Sequence, residues 1–317
     1  MGPSSGLEGG PASESEAMVA GGLTDERMRI LFATDGSESA GAALTFLQHL
    51  ITPVRTMVRV VCVIPVYLTP YDEGGVFIDW DAVVRQERAG AEHIVQEAYH
   101  ELAGKAIEIS SVIREGDPAA EIIHAAEEWN ADLVVIGSRG RGAVGGFLLG
   151  SVARDVARHC PHPVLVAHAP RGDLGQVIVA TDGSEHARDA VAFANRLPLP
   201  PETGFTVLHV VRPYRWFTAR PGLHHYETAE ELHRRQHALA GRITAEARHS
   251  LEETGRRVQV EIREGDPAAK IHEAAEGKGA DLIIVGARGV SPIRGLLIGS
   301  VADRLLTEAH ASVLIVP

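Results

Sequence analysis

Two glycine-rich stretches hold the residues best placed for chemistry. Gly137-Ser-Arg-Gly140 is followed after nine residues by Gly150-Ser151, and Gly286-Ala-Arg-Gly289 after nine residues by Gly299-Ser300. Glycine is needed where the backbone turns with positive φ, or where a ligand must touch main-chain N–H groups. The closing Gly-Ser of each stretch opens a predicted helix, whose free N–H groups and positive dipole end attract anions. The hydroxyls of Ser151 and Ser300 are expected to cap those helices and to bond a phosphate oxygen. Arg139, Arg141, Arg288 and Arg294 add local positive charge. The whole reads as a phosphate cradle that needs no lysine. The competing reading is a tight strand-to-helix connection without a ligand, and it is weakened by the recurrence of the pattern at equal spacing. A second pair of motifs, Thr34-Asp35-Gly36-Ser37 and Thr181-Asp182-Gly183-Ser184, closes an apolar run in each half. Gly140-Arg-Gly142-Ala-Val-Gly145 spells G-x-G-x-x-G, but it does not itself open a helix and the second copy lacks it. No G-x-x-x-x-G-K-[ST] is present, so the chain is not a P-loop NTPase.

The elements that must position these motifs come from a duplication. REGDPAAEIIHAAEEWNADLVVIGSRG begins at Arg114 and REGDPAAKIHEAAEGKGADLIIVGARG at Arg263, an offset of 263 − 114 = 149. ATDGSE recurs at Ala33 and Ala180, and LLGSVARDVA at Leu148 matches LIGSVADRLL at Leu297. Such a period is too long for a solenoid and marks two whole domains, at 25–169 and 175–317. In the first, Met28–Thr34, Val58–Ile64, Ile107–Ile113, Leu133–Ile136 and Val164–Ala167 read as strands. Helical stretches at Ala40–Leu50, Asp81–Ala103, Asp117–Trp129 and from Ser151 alternate with them. Asp117-Pro118 and Asp266-Pro267 read as N-cap followed by proline at the first helical position. The uniformly apolar fourth strand suits a parallel sheet covered on both faces. The predicted class is therefore α/β, two repeated doubly wound five-stranded parallel-sheet domains. Ligands in such sheets sit beyond the carboxyl ends of the strands at a topological switch point. The short last strands, Pro163–Ala167 and Ser312–Val316, are edges expected to pair with each other about a pseudo-two-fold axis.

Composition narrows the function. The 317 residues include 42 acidic and 30 basic side chains, a net charge of −12, which argues against a nucleic-acid partner. Aromatic residues at 5% are too sparse for a base-stacking platform. No apolar run approaches the ~20 residues of a membrane span. Two cysteines, Cys62 and Cys160, fit a reducing compartment, so the expected location is cytoplasmic. Residues 1–24, rich in Gly, Ser, Pro and Ala, are expected to be disordered and carry no secretory signal.

Both halves resemble universal stress proteins, in the branch marked by Gly-x2-Gly-x9-Gly-[Ser/Thr]. The resemblance extends over nearly all of 28–317 through the ATDGS start, the GDPA turn, the ADLxxxG strand and the closing PVLVA and SVLIVP strands. It implies an adenine-nucleotide-α-hydrolase-like fold and ATP as cofactor, with Mg²⁺ as an optional companion. By motif position, the phosphates would lie on Gly137, Arg139, Gly140, Gly150 and Ser151, and on Gly286, Arg288, Gly289, Gly299 and Ser300. Asp35 and Asp182 would approach the adenosine end, flanked by Thr34, Ser37, Thr181 and Ser184. The main chain of Val63 and of Val210 would read the adenine. The family often dimerises through its last strand, which a tandem chain can satisfy internally, and a homodimer of whole chains is a further expectation. Pro292 in the second loop departs from the flexible Ala-Val-Gly-Gly of the first and puts the equivalence of the two sites in question.

The leading functional reading is an ATP-binding stress-response sensor or switch with one nucleotide site in each half. The alternative is a slow ATPase or nucleotide-transfer enzyme, and a third is an interaction scaffold without nucleotide. No residue is assigned a catalytic role. Asp117 and Asp266 are explained by helix capping. His233 and His237 stand four apart on a predicted helix, near His224-His225, but no third ligand is set by the pattern. A solvated helix face is the expected reading, and metal content stays open. Cys62 reads as a core residue. A redox role for Cys160 requires a lowered thiol pKa.

Overall fold

In the computed structural model the described residues are 27–51, 55–66, 80–106, 108–140, 149–170, 172, 174–212, 229–290 and 298–317. Segment 1–24, Arg141, His224, His225, Pro292 and Arg294 lie outside them. The first half runs β1 (Met28–Ala33), α1 (Glu38–Leu50), β2 (Thr56–Pro65), α2 (Trp80–Leu102), β3 (Glu108–Gly116), α3 (Pro118–Trp129), β4 (Leu133–Gly137), α4 (Ser151–His159) and β5 (Val164–Ala167). The second half repeats it as β6 (Gln176–Ala180), α5 (Glu185–Arg196), β7 (Gly204–Val211), α6 (Ala229–Glu252), β8 (Arg257–Glu264), α7 (Pro267–Lys278), β9 (Leu282–Gly286), α8 (Ser300–Glu308) and β10 (Ser312–Val316).

Local chemistry sets these boundaries. Asp117 and Asp266 cap α3 and α7, accepting from the N–H groups of Ala120 and Ala269 at 2.9 and 3.0 Å, with proline in the first turn of each helix. The same helices end on left-handed residues, Asn130 and Gly279, which tolerate that conformation best. Ser37 and Ser184 cap α1 and α5. All five residues of β4 and all five of β9 are buried, as their apolar composition requires.

The ten strands form one sheet in the order β3-β2-β1-β4-β5-β10-β9-β6-β7-β8. Neighbours are parallel except at the seam, where β5 and β10 run antiparallel with Leu165 opposite Leu314. The expected edge pairing is therefore present, and it fuses two five-stranded sheets into one. Two apolar cores lie on the two faces, and each is continuous through both halves. One is built on Phe32, Phe46, Val177 and Phe193, under α1, α2, α5 and α6. The other is built on Leu31, Val156, Ile283 and Leu305, under α3, α4, α7 and α8. Polar contacts add to the seam: Arg158 reaches Asp303 at 2.6 Å, Arg196 reaches Asp132 at 3.0 Å, and the His168 N–H donates to Ser312 Oγ at 3.0 Å.

The aspartates of the ADL motifs are structural. Asp132 accepts from the Arg29 N–H at 2.8 Å, and Asp281 accepts from the Gly175 and Gln176 N–H groups. Each ties the start of its half's first strand to the start of the fourth. Within each half the strand order 3-2-1-4-5 reverses direction between the first and fourth strands, the kind of switch point at which open α/β sheets bind ligands.

Candidate functional site

The crevice of the first half lies beyond the carboxyl ends of β1, β2 and β4. Its volume is about 660 Å³, within the roughly 300–1,000 Å³ of small-ligand sites. Thr34, Asp35, Val63, Gly137, Arg139, Gly140, Gly150 and Ser151 all line it. Of the first-half residues expected from the sequence, Ser37 alone does not. Its hydroxyl accepts from the Ala40 N–H and donates to the Arg139 carbonyl at 3.4 Å, pinning the β1 turn to the β4 loop. Ser184 makes the same two contacts with Ala187 and Arg288.

The three motif glycines have different jobs, and none lies in the left-handed region. A Cβ on Gly137 would stand 2.6 Å from the Ser39 carbonyl oxygen, and one on Gly286 equally close to that of His186. The first glycine therefore lets the strand end abut the start of α1 or α5. A Cβ on Gly140 would stand 2.8 Å from Asp35 Oδ2, and Gly289 faces Asp182 Oδ2 in the same way. The second glycine leaves room for the aspartate. The third, Gly150 or Gly299, packs on the loop after the fourth strand, and its N–H donates at 2.7 Å to Ser138 or Ala287. The turns after β1 and β6 do require glycine, at Gly36 (φ 74) and Gly183 (φ 77). There the Asp35 and Asp182 carboxylates accept from the Ser37 and Ser184 N–H groups at 3.0 Å.

The expected serine caps are not formed. Gly150 and Gly299 are themselves the N-caps of α4 and α8, neither helix has a side-chain cap, and Ser151 and Ser300 are the first helical residues. A glycine cap contributes no side-chain acceptor, so no side chain among the described residues takes up the first-turn N–H groups of α4 beside the crevice. Nor does α4 carry an acidic residue in its first turn to offset its dipole.

Sequence reasoning missed part of the lining. Glu87, Asp117 and Asp155 join Asp35 around the first crevice, and Arg139 is the one cation among the described lining residues. At the offset of 149, Arg304 stands in the second half where the first has Asp155, and it pairs with Asp266 at 2.6 Å. The Ala269 N–H and Arg304 together hold the Asp266 carboxyl below its usual range. The two halves are thus electrostatically unlike in the same place. They also differ beside Val63 and Val210, the positions expected to face an adenine. His209 donates Nδ1–H to the Thr181 carbonyl at 2.8 Å, and burial depresses its imidazole pKa. The first half has buried Cys62 before Val63 at that point. Asp182 accepts from the Val290 N–H at 3.0 Å as well as from the Ser184 N–H. Cys160 is buried and its thiol is pushed up to about 11, which opposes the thiolate a redox role would use. Among the described residues no helix is long and apolar enough to cross a membrane.

Comparison with known proteins bears on the family and the fold. The description "Universal stress protein family" matches residues 26–168 and 174–317. A universal stress protein of Mycolicibacterium smegmatis is 28% identical over 260 residues, covering 76% of this chain and 83% of its own length. One from Methanocaldococcus jannaschii is 31% identical over 141 residues, 44% of this chain and 81% of its own. The crystal structure of a universal stress protein from Archaeoglobus fulgidus shares the fold, with a TM-score of 0.62 at 23% identity, over 91% of this chain and 97% of that one. The chain belongs to the universal stress protein family and carries two copies of its domain in tandem.

Proposed function

We propose that the chain binds an adenine nucleotide, ATP in the first instance, at one site in each half, and acts as a cytoplasmic stress-response sensor or switch. One observation carries the reading. The N-terminus of α4, which has no side-chain cap, borders a crevice of about 660 Å³ that is also lined by the apolar Val63, Ala91, Ile94 and Ile122. A phosphate chain suits the helix N-terminus and a base suits apolar side chains. The N–H groups of Ser151 and Val152, with Arg139, would hold phosphate oxygens. Asp35 would face the ribose, and the main chain of Val63 the adenine edge. The homologous residues are Ser300, Val301, Arg288, Asp182 and Val210.

The carboxylates around the first crevice support Mg²⁺ as companion. A triphosphate there would face Asp35, Glu87, Asp117 and Asp155, and a divalent ion would offset that repulsion. With Arg304 in place of Asp155, the second half should depend on Mg²⁺ less. Asp117 and Asp155 also favour a second reading, slow hydrolysis, because either could orient a water. Loss of ATP turnover in Asp155→Asn with binding retained would support it. The cytoplasmic location rests on Cys62 and Cys160, which are buried and form no disulfide. A homodimer of whole chains would need a surface other than β5 and β10, which are already paired.

The test is calorimetric stoichiometry. Wild type should bind two ATP per chain, and Ser151→Asp and Ser300→Asp one each. The added carboxylate sits in the first helical turn, so it favours the helix while repelling phosphate. At about 5 Å and an effective dielectric between about 20 and 80, the repulsion is roughly 1–3 kcal/mol per phosphate charge, a ten- to hundredfold loss. A double variant that binds ATP like wild type would sink the proposal. ATP should also bind more tightly than GTP.

A further inference from the structure

His233 and His237 are one turn apart on α6, and the fold supplies the partner that their spacing alone does not. Their Nε2 atoms lie 3.6 and 2.8 Å from one carboxylate oxygen, Glu264 Oε1. The rings stand 4.4 Å apart, and the three ligand atoms all lie within 4.8 Å of one another. Glu264 ends β8, opposite Val211 of β7, so the cluster sits on the carboxyl edge of the second half's sheet.

Two imidazoles and a carboxylate, without a thiolate, suit a borderline divalent ion such as Zn²⁺. With bonds of about 2.0–2.2 Å, tetrahedral ligand atoms stand roughly 3.3–3.5 Å apart. The His233–Glu264 separation is already close to that. The His237–Glu264 hydrogen bond must widen by about half an ångström, which these side chains can do, being 36% to 54% exposed. Metal-bound imidazoles would carry their proton on Nδ1. Three protein ligands leave the fourth position to water.

The first half provides an internal comparison. At the offset of 149, His233, His237 and Glu264 correspond to Val84, Arg88 and Glu115. There Arg88 Nη1 holds Glu115 Oε1 at 3.1 Å. A guanidinium is permanently charged, has no lone pair to offer, and occupies the carboxylate itself. The second half replaces that fixed cation and its neighbouring valine with two groups that can each donate a lone pair. The carboxylate is the same; only its partners changed, and both changes are toward metal ligation.

We propose that His233, His237 and Glu264 form a binding site for a divalent transition-metal ion of the zinc class, with one coordination position open to solvent. The proposal rests on these three side chains and is independent of nucleotide binding.

Zn²⁺ alone, titrated into the full-length chain near neutral pH against a chromophoric chelator, tests it. The second His/Glu grouping, His272, Glu276 and His310, serves as control. The His233→Ala/His237→Ala variant should lose the tight site, and the His272→Ala/His310→Ala variant should keep it. Removing even an outer-shell partner of a metal ligand costs about 10–100-fold, so the loss should exceed a hundredfold. The grafted Val84→His/Arg88→His variant should gain one equivalent of Zn²⁺, because Glu115 is already in place. Circular dichroism should show all three variants folded, as none of the altered residues belongs to the buried core. Absence of tight binding in the wild type, or wild-type affinity in His233→Ala/His237→Ala, overturns the proposal. A graft that gains nothing overturns the claim that these three positions suffice.

Discussion

Replacing Gly137 by alanine tests whether the first motif glycine serves packing or ligand. The new Cβ would lie 2.6 Å from the Ser39 carbonyl oxygen, 2.7 Å from its carbon and 2.9 Å from the Ala40 nitrogen. Ordinary carbon contacts sit near 3.5 Å, so α1 must retreat from β4 by somewhat under about 1 Å. Nothing there yields easily, because the contacts are backbone and α1 is anchored by the fully buried Ala43, Phe46 and Leu47. Overpacking of this kind costs about 1–3 kcal/mol, and backbone contact on a helix start puts it in the upper part of that range. Alanine also restricts the unfolded chain, returning about 0.4–1 kcal/mol, so the net loss is about 2 kcal/mol. At roughly 2–4 °C per kcal/mol for a domain of this size, Tm should fall by about 4–8 °C. Gly41→Ala is the control. It lies in the same helix with nothing within 4 Å of its would-be Cβ, and it should stabilise by about 0.5–1 kcal/mol. Thermal and urea unfolding followed by circular dichroism would read both variants. A Gly137→Ala protein as stable as Gly41→Ala would refute the packing role and return the residue to the ligand.

Three further outcomes follow from the same geometry. His209 has its pKa lowered by burial below the ordinary 6.5, so the unfolded chain binds a proton more readily than the folded one. Stability from this residue is therefore complete above about pH 6.5 and declines as pH falls toward the folded-state pKa, and His209→Gln should flatten that slope in Tm measured against pH. Asp266, whose pKa is lowered by its cap bond and Arg304, acts in a more acid window: its contribution is present above the ordinary 3.8 and is lost as pH falls through the folded value. Asp266→Ala should cost about 1 kcal/mol at neutral pH, the usual worth of an N-cap. Cys160, with its thiol at about 11, should resist iodoacetamide at pH 8 in the folded protein and react fully in urea, which mass spectrometry would quantify; fast labelling of the native thiol would contradict its burial.

What the sequence determined by itself was local or repeated. The 149-residue offset established two like domains, and the apolar run of β4 and the Asp-Pro starts of α3 and α7 marked their elements, because strand composition and helix caps are settled within a few residues. The glycine spacing likewise pointed to the end of the fourth strand. Tertiary structure decided how those elements use the residues. Only the approach of β4 to α1 makes Gly137 a packing position. Only the start of α4 at Ser151 makes Gly150 the cap and leaves the serine uncommitted. Asp155 reaches the first crevice from α4, Asp117 from the start of α3 and Glu87 from α2, and no motif links three residues so far apart in the chain. Glu264 meets His233 and His237 because the crossover from β7 through α6 to β8 lays the helix beside the strand it precedes, 27 residues after His237. Side-chain chemistry repeats along the chain and can be read there, but which side chains converge depends on how the sheet orders its strands, and that order is set by burial of the two apolar faces as a whole.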